Sequence, residues 1–118
     1  MAYVDVMVLP FKATDLKAYK KLTRDSAKAW KRCGALSYHE MVEDDVKPGK
    51  VTSFPQSVKL KKGEKVGCAY IVFKSKAARN SSWKKIMKDP FMAQFNPKNV
   101  PFDARRMFFG GFKTLVQF

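Results

Sequence analysis

The stretch Met107 to Val116, MFFGGFKTLV, limits the folds open to this chain more than any other. It is an apolar, aromatic run broken only by Gly110, Gly111, Lys113 and Thr114, and it reads as a β-strand with a glycine pair inside it. Glycine weakens a strand interior, so a pair there marks a bulge or a place where another group comes close. The segment leading in carries Pro97, Asn99, Pro101 and Asp103, which suit turns rather than helix interiors or central strands. A strand this hydrophobic has to be covered, and the rest of the chain is read for what covers it.

Residues 2–9 alternate, with Val4, Val6 and Val8 on one face and Tyr3, Asp5, Met7 and Leu9 on the other. That is a strand buried on both sides with one acid among its buried positions, ended by Pro10. Thr14 or Asp15 then caps a helix whose inner stripe is Leu16, Tyr19, Leu22, Ser26, Ala27, Trp30 and Cys33, with Gly34 as its stop. Residues 35–43 alternate again: Leu36, Tyr38 and Val42 share one face, and Ser37, His39, Met41 and Glu43 the other. Ser53, Phe54 and Pro55 signal a turn, and Val58 with Leu60 a short edge strand. Residues 65–74, KVGCAYIVFK, form the strongest strand and are expected at the centre of the sheet. Ser75 caps a second helix over 76–88, with Ala78, Ser82, Trp83, Ile86 and Met87 inward, and Asp89-Pro90 stops it. Phe91 to Phe95 reads as one more helical turn.

The order strand, helix, strand, strand, helix, strand predicts a ferredoxin-like α+β fold over residues 1–118 as a single domain: a four-stranded antiparallel sheet with both helices on one face. The expected helix side holds Val4, Val6 and Val8 against Ala69, Ile71 and Phe73. The free side then shows Tyr3, Asp5, Met7, Cys68, Tyr70 and Val72, a surface too apolar to leave in water. Either RNA lies on it or a second copy of the sheet does. The second solution makes a homodimer, a dimeric α/β barrel.

The formal net charge is +14. Such a field favours anionic partners, but the charge is mostly lysine spread from Lys12 to Lys113, which reads as a solvated surface. Nucleic-acid binding is accordingly expected to be weak and non-specific. The third strand, Gly67 to Phe73, partly fits the longer sequence pattern of RNA-recognition motifs, yet Val66 and Cys68 replace the expected basic and stacking residues. The opening residues carry no basic leader and no apolar run long enough for a signal peptide or membrane span. Cys33 and Cys68 show neither metal spacing nor a disulfide framework, so the reading is a cytoplasmic chain with reduced thiols.

The chemistry-bearing residues are few. His39 is the single histidine and reads as a half-buried strand residue before it reads as a base. Asp5 needs a charged or hydrogen-bonding partner if buried, and Arg105, Arg106, Tyr38 and Tyr70 are the candidates. The candidate pocket is therefore Tyr3, Asp5, Tyr38, His39, Tyr70, Arg105 and Arg106. No metal cluster, phosphate loop or activated nucleophile is visible, and no cofactor is expected. Asp103 suits an Asx-type turn, and alternation sends Arg105 and Arg106 to opposite faces, so one of them needs a carboxylate: Asp5 first, Asp103 as the local alternative.

The opening AYVDVMVLP, the helix end KAWKRCGAL, the loop DDVKPGKVTSFPQSVK and above all DPFMAQFNPKNVPFDARRMFFGGF resemble the YbaA-like family of small bacterial proteins, a domain of unknown function. The most specific parts are Gly49 through Ser53, Phe54 and Pro55, and Pro101, Phe102 and Asp103 through Arg106 and Met107 to Gly110, Gly111 and Phe112. The resemblance implies a ferredoxin-like monomer of the dimeric α/β-barrel superfamily and a homodimer. It implies no established reaction. The functional expectation is binding of a small molecule, anions included, in or beside the barrel. An RNA-binding module is the alternative, and a cofactor-free oxidoreductase the third.

Overall fold

The computed structural model describes residues 1–118. Strand β1 (Tyr3–Lys12) runs through a 3-10 turn into helix α1 (Leu16–Arg32), then strand β2 (Ser37–Val42), a one-turn helix α2 (Phe54–Ser57), strand β3 (Glu64–Phe73), helix α3 (Lys76–Ile86), a second 3-10 segment (Pro90–Gln94) and strand β4 (Phe108–Lys113). The strands form one sheet in the order β2-β3-β1-β4, antiparallel at every pairing. This is the expected ferredoxin-like α+β plan, with α1 and α3 packed on the same face.

Local chemistry accounts for most boundaries. The Ala78 amide donates to Ser75 Oγ at 3.1 Å at the start of α3, and Gly34 takes φ +106° just past α1, the left-handed stop that glycine adopts without strain. Asp15 occupies the cap position of α1 but makes no side-chain cap bond; the preceding 3-10 turn, Ala13–Asp15, supplies the entry instead. Pro10 does not end β1. It pairs in register with Val66 and its carbonyl accepts from the Asp103 amide at 3.0 Å on the other side. Its missing N–H therefore faces the side where β4 has already ended, and proline is tolerated there as on an edge. The expected edge strand at Val58 and Leu60 is absent: these residues follow α2, and Val58 packs with Val8 and Val66.

The face assignment of β1 is the main correction. Tyr3, Asp5 and Met7 lie opposite Phe73, Ile71 and Ala69, whereas Val4, Val6 and Val8 lie opposite Val72, Tyr70 and Cys68. Directly opposed residues share a face. Asp5, Met7 and Tyr3 therefore face the helices, and the three valines face away. The reason is Asp5. It is fully buried and lies beneath α3, where Arg79 Nε donates to both carboxylate oxygens at 3.1 Å and Trp83 Nε1 donates to Oδ2 at 2.7 Å. The partners expected for Asp5 (Arg105, Arg106, Tyr38 and Tyr70) are not the ones it uses.

The core between sheet and helices joins Ala29, Trp30 and Cys33 of α1 to Ile71 and Phe73 of β3, Ile86 of α3 and Phe91. Trp30 stands edge-on to Phe73 at 5.8 Å and to Trp83 at 5.0 Å. Ala29, flush against this core with no exposure, lies off the expected α1 stripe, and Leu16, on that stripe, is 43% exposed. The glycine pair makes no bulge, since β1 and β4 keep unbroken register from Tyr3–Lys113 to Val8–Phe108; close approach explains Gly111, while a Cβ at Gly110 would make only an ordinary contact. A Cβ at Gly111 would collide with the Tyr3 ring.

Removing Arg79 leaves the Asp5 carboxylate buried without its cation. Arg79→Met is expected to lower unfolding stability by about 3–5 kcal/mol, read as a fall in the urea midpoint at neutral pH. A loss under about 1 kcal/mol would mean that Trp83 alone suffices to hold the charge.

Candidate functional site

Three groups of residues take up the expected pocket, and they do not meet. Tyr3 and Asp5 belong to the α3 contact, with the Arg79 guanidinium 5.4 Å from the Tyr3 ring centre. His39 and Tyr70 stack on each other at 4.7 Å on the opposite, free face of the sheet. Arg106 sits at the far end, and Arg105 is exposed beside it. Tyr38 alone of the seven lines a half-open, apolar pocket.

Arg106 forms a clasp. Its guanidinium donates to Glu64 Oε2 at 2.6 Å and Oε1 at 2.8 Å, to Asp103 Oδ2 at 2.8 Å, and to the Lys59 carbonyl at 3.0 Å. Asp103 also accepts from the Arg105 amide at 2.9 Å, the expected Asx turn. Of the two expected carboxylate partners the local one is used and Asp5 is not; Glu64 went unforeseen. Hydrogen bonds from Arg106 hold the Glu64 and Asp103 carboxyls below their ordinary values. Phe102 packs edge-on to Tyr19 at 6.4 Å. Ser53 caps α2, accepting from the Gln56 amide at 3.2 Å, Phe54 and Pro55 fill its first turn, and the Gly49 amide donates to Gln56 Oε1 at 2.8 Å. These motifs shape loops.

The apolar space is a half-open pocket between the helix face of the sheet and the two long helices. It measures about 350 Å³, and fifteen of its eighteen lining residues are apolar, which is within the usual range for a small-molecule site. Its walls include Trp30, Trp83, Phe91, Phe102 and Phe109, together with four methionines: Met7, Met87, Met92 and Met107. Thioether side chains adapt to irregular contents. Among the lining residues the one ionisable acid is Glu40, and none is Lys, Arg or His.

Glu40 is held by hydroxyls. Tyr19 donates to Oε2 and Tyr38 to Oε1 at 2.6 Å. Burial raises the Glu40 carboxyl above its ordinary value, and the two tyrosine bonds only partly offset this. Burial, followed by the charge of Glu40, raises both phenols, so they stay neutral donors. A glycine makes the arrangement possible: a Cβ on Gly67 of β3 would stand 2.6 Å from the Tyr19 hydroxyl. Alternation along β2 already puts Glu40 on the face of Leu36, Tyr38 and Val42. An acid on that apolar face carries the same signal that singled out Asp5.

A second, more open groove of about 660 Å³ is lined by Lys12, Lys61, Lys98 and Arg105 together with Asp15, Glu64 and Asp103. Arg106 lines it as well, so five basic side chains stand against three acids; Glu64 and Asp103 are already tied to Arg106, and four of the thirteen lining residues are apolar.

The sheet order and the two helices on one face define the class: a ferredoxin-like α+β protein with an apolar pocket between its layers. Solved structures agree on the fold. A NIPSNAP family protein of unknown function from Agrobacterium tumefaciens is similar at TM-score 0.57 and 17% identity, over 96% of this chain and 87% of its own. Rv0793 from Mycobacterium tuberculosis is similar at TM-score 0.56 and 13% identity, over 99% and 98% of the two chains. Residues 2–104 match the family described as protein of unknown function (DUF1428), and the chain belongs to that family. The uncharacterized protein YbaA of Escherichia coli K12 is 37% identical over 116 residues, 98% of each chain. No helix is long and apolar enough to cross a membrane.

The two carboxylate environments titrate in opposite senses. Glu64 and Asp103 have folded values below their unfolded ones, so their contribution is present above about pH 4 and is lost as pH falls through the folded values. Arg106→Ala should therefore lower the urea midpoint at pH 7 and lose most of that difference at pH 3. Glu40 has a raised folded value, so its favourable contribution is complete below about pH 4 and fades as pH rises through that value. Glu40→Gln should match or exceed the unmodified protein in stability at pH 8, with the gap closing at pH 4. A large destabilisation by Glu40→Gln at pH 8 would show that the tyrosine bonds outweigh burial.

Proposed function

We propose that this protein binds a small, largely apolar molecule in the helix-side cavity and works as a homodimer. The observation that carries the first part is the cavity itself: aromatic and methionine walls converging on one hydrogen-bonded carboxyl, Glu40. Pockets of this make-up, apolar with a few placed polar groups, are the usual form of small-molecule sites. The lining argues against an anion here, because its one charge is negative. No reaction is part of the proposal. A cytoplasmic location fits the free thiols of Cys33 and Cys68.

Support for the homodimer comes from the face turned away from the helices. Val4, Val6 and Val72 lie there beside Phe112, 60% exposed, Phe108, 47% exposed, and Met41, 39% exposed. A continuous apolar surface of this kind is a docking surface, and a second copy offers the same surface to it in an isologous contact. The nucleic-acid alternative would use the same face, with the His39–Tyr70 pair as its stacking element.

Light scattering at micromolar concentration is expected to give twice the chain mass, and Phe112→Glu with Val72→Lys to give the monomer. A monomeric unmodified protein that binds single-stranded RNA with a steep loss on raising salt would favour the alternative. For the cavity, Trp30 and Trp83 both line it, so occupancy should shift their fluorescence. A screen of apolar small molecules that moves neither the emission nor the unfolding midpoint would overturn the pocket reading.

A further inference from the structure

We infer that the helix-side cavity takes a hydrophobic cation: a ring-sized apolar body carrying one protonated amine, with the ammonium seated on Glu40. This deepens the small-molecule reading above and rests on it.

The first support is a comparison among carboxylates. Asp5 is paired with Arg79, Glu64 and Asp103 share Arg106, and Asp89 is paired with Arg32. Each of these has a guanidinium. Glu40, which lines an apolar cavity, has none, and no basic residue stands on any wall of that cavity. Glu40 is half-buried, and a carboxylate drawn out of water without a cation is costly, so the site lacks one component that these four have.

The second support is the direction of the hydroxyls. Tyr19 and Tyr38 each donate to a different carboxylate oxygen. Both protons point at Glu40, which makes it an acceptor toward anything else in the cavity. A carboxylate has about four lone-pair positions, and two phenols leave the others open to a ligand donor. An ammonium brings three donors and the missing charge together.

The walls suit the same occupant. Trp30, Trp83, Phe91, Phe102 and Phe109 present aromatic rings, whose faces attract a desolvated cation and pack an apolar body. Met87, 61% exposed, stands at the rim, and a flexible side chain there adapts to ligands of different shape. A neutral apolar ligand would only deepen the burial of an unpaired charge, and an anion would be repelled.

Three near-isosteric probes test the assignment: phenethylamine, 2-phenylethanol and 3-phenylpropionate, titrated against the full chain by tryptophan fluorescence and calorimetry. The amine is expected to bind at least about tenfold more tightly than the alcohol, a difference worth about 1.4 kcal/mol, and the carboxylate is expected not to bind. Glu40→Gln should abolish the preference, bringing the amine to or below the affinity of the alcohol without weakening the alcohol. Lowering the pH should weaken the amine selectively as Glu40 gains its proton. The other titratable groups near it are Tyr19 on α1, Tyr38 on β2 and Cys68 on β3, all with raised values; α3 and the chain after it place none in the cavity. Equal binding of amine and alcohol overturns the cation assignment and leaves the pocket standing. Failure of all three probes overturns both readings. Should Glu40→Gln not fold, the ranking of the probes on the unmodified protein decides.

Discussion

The contact of Asp5 with Arg79 and Trp83 sets the phase of the central strand, and most of the architecture follows from it. β1 is flanked by β3 and β4, so its facing decides what both sides of the sheet present. With Asp5 turned toward α3, Tyr3, Met7 and Leu9 must face the helices, and Val4, Val6 and Val8 must face away. A carboxylate with no exposure needs donors on the side it faces, and α3 supplies three of them from two residues one helical turn apart. Reversing the strand would take Asp5 away from the Arg79 and Trp83 donors and turn it to the face away from the helices. The apolar face left over is therefore a consequence of where one charge can be neutralised.

Two glycines let aromatic side chains complete these charged centres. Gly111 lies in register with Asp5 and leaves room for the Tyr3 ring, over which the Arg79 guanidinium rests at 5.4 Å. Gly67 leaves room for the Tyr19 hydroxyl to reach Glu40. A strand glycine loses side-chain packing and backbone entropy, and in both places what it admits is a ring against a strand. Sequence position thus feeds through backbone approach to the electrostatics of the site. Phe102 against Tyr19, with the Arg106 clasp just after it, ties the approach to β4 to the same wall of the cavity.

Element order, both long helices, the centrality of β3 and the helical turn after Pro90 were legible from alternation, caps and breakers. So was the close approach within the glycine pair, at Gly111. The phase of β1 was not, because Tyr3–Leu9 is apolar on both faces and the partner that breaks the tie, Arg79, lies 74 residues away on the polar-looking side of α3. The hydrophobic stripe of α3 is weak, which hid Arg79 and kept Trp83 as a core residue only. Glu40 was legible in principle, since strict alternation puts it beside Tyr38; what the chain order does not reveal is that Tyr19, 21 residues earlier, arrives over Gly67 to meet it. Pro10 misled for a related reason: proline stops a strand only where its absent donor is needed, and here the neighbouring strand ends two residues short.

Asp5 and Glu40 lie on the same face of one sheet, Asp5 fully buried on an interior strand and Glu40 half-buried on an edge strand, and they differ in what they meet. Asp5 meets a guanidinium and an indole, so its charge is neutralised within the fold and supports stability. Glu40 meets two phenols, which orient a negative charge without cancelling it. Burial raises its value, so at neutral pH the folded state carries an electrostatic cost there that a glutamine would avoid. Functional sites are where such trade-offs of stability for activity are expected. Here the carboxyl lines a pocket walled by aromatic and thioether side chains. Arg79, Arg32 and Arg106 are taken up by Asp5, by Asp89, and by Glu64 with Asp103, whereas Glu40 faces the cavity with no basic side chain on its walls.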